Sequence, residues 1–124
     1  MTVNEAIGRF DLLNPNAFPF AVKRDLLAGL EGRLQNELFC LYVGFPDTGD
    51  AAFTGETELL APFPYDDVYV KFLAAETDRL NGDVGRYVNG AAVFNDAVEA
   101  LAVHLLKTRR RRREPKVRLP EVTA

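Results

Sequence analysis

The chain has 124 residues, 48% of them apolar and 27% charged, with one cysteine and no serine. That length allows one domain with a modest core, and the composition excludes an intramolecular disulfide, a cysteine-pair metal site and a serine nucleophile. The net charge of −3 averages two opposite regions: residues 1–106 hold seven Lys and Arg against sixteen Asp and Glu, a net −9, while residues 107–124 hold eight against two, a net +6.

An acidic body with a basic tail points to contact through one end, with nucleic acid, an acidic protein surface or the body of a neighbouring copy. No run of about eighteen apolar residues and no basic-then-apolar amino terminus is present, so neither a membrane span nor a signal peptide is expected. A soluble protein made in a cytoplasm is the expectation. Cys40 is expected to be a small buried apolar residue.

Thr2-Val3-Asn4-Glu5 reads as a capping box opening a short helix with Ala6, Ile7, Phe10 and Leu13 on its apolar side. Asn14-Pro15 ends it, and Pro15 and Pro19 bias the residues before them away from helix. A second helix starts near Pro19 with the stripe Val22, Leu26, Leu27, Leu30, Leu34, Leu38. Lys23, Arg24, Glu31, Arg33 and Glu37 are expected to face water.

Periodicity fails between Phe39 and Phe63, where Gly44, Pro46, Asp47, Gly49, Asp50, Gly55 and Pro62 interrupt it. Leu41, Val43, Phe45, Phe53 and Leu59 nevertheless keep this stretch from reading as a solvated linker. A loop this long in a compact domain usually serves contact. A β-hairpin around Asp47-Thr48-Gly49-Asp50, an arm lying on another subunit and a tethered surface loop all remain open.

From Pro64 to Thr108 one period runs through Leu73, Thr77, Leu80, Val84, Tyr87, Ala91, Phe94, Val98, Leu101 and Leu105. Pro64 suits a first helical turn and Asp66 and Asp67 the positive end of the dipole; Lys107 and the arginines suit the other end. One unbroken helix would be roughly 65 Å long at 1.5 Å per residue, so a break is expected at Asn81-Gly82 or Asn89-Gly90. The kept phase favours a kink over a loop, with a two-helix hairpin as the alternative. The fold class is therefore all-α: a small helical bundle with a long C-terminal helix, an irregular arm and an extended basic tail. Its units are a body over 1–108, with the arm at 41–60, and a tail over 109–124.

The tail opens with Arg109, Arg110, Arg111, Arg112 and Arg113. Five adjacent like charges repel, so the segment should be extended or frayed unless an acidic group meets it. Lys116-Val117-Arg118-Leu119 alternates like a strand added to the edge of a partner sheet. Chemistry is harder to find. His104 is the only histidine, no set of metal-ligating residues accompanies it, and neither GxGxxG nor GxxxxGK[ST] occurs, so no cofactor, metal or catalytic activity is expected. The arginines could neutralise phosphates in a salt-dependent, sequence-blind way, but the acidic body opposes close approach to DNA.

Thr2-Val3-Asn4-Glu5-Ala6-Ile7, Leu30-Glu31-Gly32-Arg33-Leu34, Glu58-Leu59-Leu60-Ala61-Pro62, Pro64-Tyr65-Asp66-Asp67-Val68-Tyr69, Asn81 to Asn89 and Phe94-Asn95 together resemble a family of small proteins encoded in tailed phages and prophages of Gram-positive bacteria. These are similar to the head-tail connector adaptors of long-tailed phages. The likeness covers about residues 1–108, and the arginine run departs from it.

The resemblance implies a structural virion protein, synthesised in the bacterial host cytoplasm and placed at the head-tail interface. It would form a ring of copies beneath the portal, a dodecamer if it takes the portal's twelve-fold symmetry. A stopper or tail terminator would be its other neighbour, and genomic DNA would pass through the channel; no membrane is involved. On this view Arg109–Arg113, Lys116, Val117, Arg118 and Leu119 grip the portal, while Leu41, Val43, Phe45, Phe53 and Leu59 meet a neighbouring subunit or the next ring. The alternative is a small phage-encoded DNA-binding or regulatory protein that uses its Arg-rich tail on phosphates.

Overall fold

The computed structural model describes residues 1–46 and 52–112. Helix α1 (Val3–Leu13) opens with the expected capping box: the Glu5 amide donates to Thr2 Oγ1 and the Thr2 amide to Glu5 Oε1. Pro19 precedes helix α2 (Phe20–Glu37), and a single 3-10 turn, Phe39–Leu41, follows it. Helix α3 (Asp67–Leu80) and helix α4 (Val84–Thr108) complete the regular structure of the described residues. The fold is all-α; among the described residues no strand forms, only isolated bridges between Thr2 and Glu58 and between Tyr42 and Arg111. The expected hairpin turn at 47–50 lies outside the described residues.

The long C-terminal period is divided at Asn81-Gly82-Asp83. Gly82 has φ +75°, a left-handed conformation that a side chain disfavours, and its amide donates back to the Arg79 carbonyl at 3.0 Å. Asp83 then caps α4 by accepting from the Arg86 amide. The expected kink is instead a tight reversal. α3 and α4 run antiparallel, as Phe72 against Phe94 and Tyr65 against His104 require, with ring centroids 5.2 and 4.4 Å apart.

Gly90 sits at the closest approach of the pair, where an added Cβ would lie 3.3 Å from both Cα and Cβ of Ala75. The stripe kept its phase because each half of it faces the other across this hairpin. Pro64 lies not in the first helical turn but in the turn before α3, after a cis Phe63–Pro64 bond.

The core gathers Val3, Ala6, Ile7 and Phe10 of α1, Leu27, Leu30 and Leu34 of α2, Val68, Tyr69 and Leu73 of α3, and Leu101 and Leu105 of α4. Residues 52–61 are drawn into this body. The Val3 amide donates to the Thr57 carbonyl at 3.0 Å, Asn4 to Gly55 at 2.8 Å and Leu59 to Met1 at 2.8 Å. The second half of the arm thereby closes over the start of α1 and supplies partners for amides that a helix start leaves free.

The buried stripe of α2 is rotated from the one its leucines predict. Its fully buried members are Lys23, Leu27, Leu30, Glu31 and Leu34, while Val22 and Leu26 are only half-buried. Lys23 and Glu31, expected in water, are inside, because each has a partner that the sequence does not reveal.

Candidate functional site

Glu31 stands where α2, α3 and the arm meet. Its Oε1 accepts from the Tyr69 hydroxyl at 2.7 Å and its Oε2 from the Leu60 amide at 2.8 Å; the Tyr69 oxygen in turn accepts from the Ala61 amide at 3.0 Å. Every polar atom of the pair is engaged. Burial holds the Glu31 carboxyl above its ordinary range, opposed by the two bonds it accepts, and burial beside that carboxylate pushes the Tyr69 hydroxyl far up. A tyrosine so placed keeps its proton and donates permanently.

The second buried polar group closes the α1–α2 connection. Lys23 Nζ donates to Asp11 Oδ1 at 2.6 Å and to Asn16 Oδ1 at 3.3 Å, and Asn16 Nδ2 donates to the Asn14 carbonyl at 2.8 Å. Burial alone would raise the Asp11 carboxyl, but the Lys23 ammonium and the Asn16 amide outweigh it and hold it below its ordinary range. Both clusters are closed on themselves, one joining α2 to α3 and the arm, the other closing the α1–α2 connection.

The arginines begin as part of the body. From Arg109 the backbone is extended and runs antiparallel to residues 41–43: the Val43 amide donates to the Arg110 carbonyl at 2.8 Å and the Arg112 amide to Leu41 at 2.9 Å. The half-buried Arg112 guanidinium donates to the carbonyls of Tyr42 at 3.0 Å and Phe45 at 3.4 Å, and Arg109 lies 4.7 Å over the Phe45 ring. Among the described residues no acidic group holds this strap; backbone carbonyls and a ring face do. Arg109, Arg110 and Arg111 are exposed, and none is in an ion pair among the described residues. Arg113, Lys116, Val117, Arg118 and Leu119 lie outside the described residues.

The five arm residues part company. Phe45 and Leu59 are buried in the chain's own core, Leu41 and Phe53 pack against it half-buried, and Val43 is exposed. The apolar character of the first four is thus used internally. Only Val43 presents a large apolar side chain outward, beside the exposed arginines.

Toward the reversal of the α3–α4 hairpin, Leu80 and Val84 of the expected stripe are exposed, as is Val88, Val84 by 72% and Val88 by 58%; Val93, half a turn around α4 from Val84, is exposed on the other side, and between residues 81 and 96 no residue is fully buried. Two adjoining clefts, of about 470 and 450 Å³, run along α4 beside the start of α3 and share Tyr65, Asp96 and Ala100. A second, weaker apolar spacing on α4 runs through Val88, Ala92, Val103 and Leu106, all exposed and to one side of the stripe, and the sequence reading passed over it.

Among the described residues no group of His, Cys, Asp and Glu is arranged to hold a metal ion, and no helix is long and apolar enough to cross a membrane. Cys40 is buried, its thiol donating to the Asn36 carbonyl at 3.1 Å. Comparison with protein-family models, curated proteins and solved structures finds no match for this chain.

Proposed function

We propose that the chain is a structural adaptor of a long-tailed phage, working as a ring of copies between the portal and the stopper or tail terminator. The observation that carries this reading is the α3–α4 hairpin. α4 packs against α3 alone among the helices; Val84 and Val88 are exposed toward the reversal, and a cleft between the start of α3 and the middle of α4 is left uncovered by the monomer. Such a face is stabilised by a neighbour. The acidic body and basic end of one chain suit unlike surfaces meeting at each interface, the pattern a closed ring repeats. Val43 with Arg109, Arg110 and Arg111 forms the region offered to the portal.

The second reading is sequence-blind DNA binding. It is favoured by the three exposed arginines, which have no carboxylate partner among the described residues. Incubation of the full chain with isolated portal rings separates the two. An adaptor decorates the rings with a coaxial ring of copies and leaves random duplex DNA unshifted; a phosphate binder shifts the DNA in a salt-dependent way and leaves portals bare.

A further inference from the structure

The strap leads the chain away from its own cleft. Arg112 ends among Gln35, Phe39, Cys40, Phe45 and Pro46 at the close of α2, and no residue of that site lines the clefts along α4. The polypeptide continues from there into Lys116-Val117-Arg118-Leu119, whose alternation in an extended conformation sets two cations on one side and two apolar side chains on the other.

The α4 groove has the complementary make-up. Its apolar surface is formed by Tyr65, Val93, Ala100 and Val103, its acids are Asp96 and Glu99, and its one cation besides Lys71 is Lys107 at the far end. Asp67, which also borders it, is taken by Lys71 at 2.8 Å, whereas Asp96 and Glu99 have no ion pair among the described residues. Lengths agree as well. From Val93 to Val103 the helix rises about 15 Å, and four extended residues span about 13 Å.

We propose that residues 116–119 of one copy lie in the α4 groove of the next, Val117 and Leu119 against Ala100 and the valines, Lys116 and Arg118 reaching Asp96 and Glu99. Each copy then gives one tail and receives one, a heterologous contact that closes into a ring or extends into a filament. This deepens the adaptor reading and needs from it only that copies associate; it gives this stretch to a neighbouring copy instead of the portal.

A zero-length carbodiimide cross-link in a concentrated equal mixture of unlabelled and ¹⁵N-labelled full-length chains tests it, since Lys116 is the only amine between Arg113 and the C-terminus. Expected are links from Lys116 to Asp96 or Glu99 that pair a light with a heavy peptide in the statistical share. Links only within one isotope mean that each tail folds onto its own groove and overturn the proposal, as does the absence of such links.

Charge exchange supplies the second arm. Asp96→Lys with Glu99→Lys, or Lys116→Glu with Arg118→Glu, should each weaken self-association in sedimentation about tenfold or more, and all four in one chain should restore it. Failure to restore overturns the direct contact, while unchanged thermal melting shows that the exposed substitutions leave the fold intact. Bare portals with intact light–heavy links would contradict the adaptor reading alone; decorated portals without the links would remove this interface alone.

Discussion

The two ends of the α3–α4 hairpin carry the same apolar period and lie in different surroundings. At the base, Tyr69 and Leu73 of α3 and Leu101 and Leu105 of α4 belong to one buried core with residues of α1, α2 and the arm, and a buried carboxylate is bonded to Tyr69. At the reversal, Leu80, Val84 and Val88 continue the hairpin with nothing over them. The base is finished as a monomer, whereas the far end has a helix's apolar residues without a core to receive them. Stability should therefore reside in one end and association in the other.

The largest effect should come from Glu31→Leu. It leaves the Tyr69 hydroxyl and the Leu60 amide buried without acceptors, and should lower unfolding free energy by about 3–5 kcal/mol in chemical denaturation. Tyr69→Phe removes the donor to Glu31 and the acceptor for Ala61, with an expected loss of about 2–3 kcal/mol. A loss under about 0.5 kcal/mol for either would mean that the base is not held as its hydrogen bonds indicate.

Gly90→Leu probes the boundary between the two ends. The new side chain must displace α3 at Ala75, and the loss should be about 1–2 kcal/mol after the better helix propensity of leucine is counted. Acidity acts on the base by a smaller amount. Because burial raises the Glu31 carboxyl in the folded chain, the native state keeps a proton that the unfolded chain has released above its ordinary 4.5. This contribution is fully present below that value and is lost as pH rises through the raised folded value. Denaturation midpoints measured from pH 4.5 to neutrality should fall more steeply for the native chain than for Glu31→Gln. Asp11 acts in the opposite sense at lower pH: its carboxyl is depressed, so its contribution is lost as pH falls below the ordinary 3.8 and on through the folded value.

The smallest change in stability should follow Val84→Ser with Val88→Ser, within about 0.5 kcal/mol each, since both are exposed. Their effect should appear in assembly instead. If these variants melt far below the native chain and assemble unchanged, the contrast between the two ends is wrong.

How much of this was legible depended on range in sequence. The Thr2–Glu5 box, the stop at Asn14, the start after Pro19 and the end at Thr108 are local signals, and each element falls where its signal lies. The reversal at Gly82 was visible as a breaker, but periodicity cannot separate a kink from a hairpin, because two helices facing each other keep one phase as well as a single rod does. Glu31 and Lys23 were unreadable for a different reason. Their partners, Tyr69 and Asp11, lie 38 and 12 residues away, and a charged residue reads as solvent-facing until such a partner is known. The strap escaped notice because its partners are the carbonyls of residues 41, 42 and 45, which no side-chain pattern announces.

For the adaptor reading proposed above, electron microscopy of the full chain incubated with isolated portal rings of a long-tailed phage bears most directly on whether this polypeptide acts by repetition about an axis. A closed ring of copies stacked on the portal, its subunits meeting along α4, is the predicted image. Bare portals beside monomeric protein, at concentrations where both remain soluble, would contradict it.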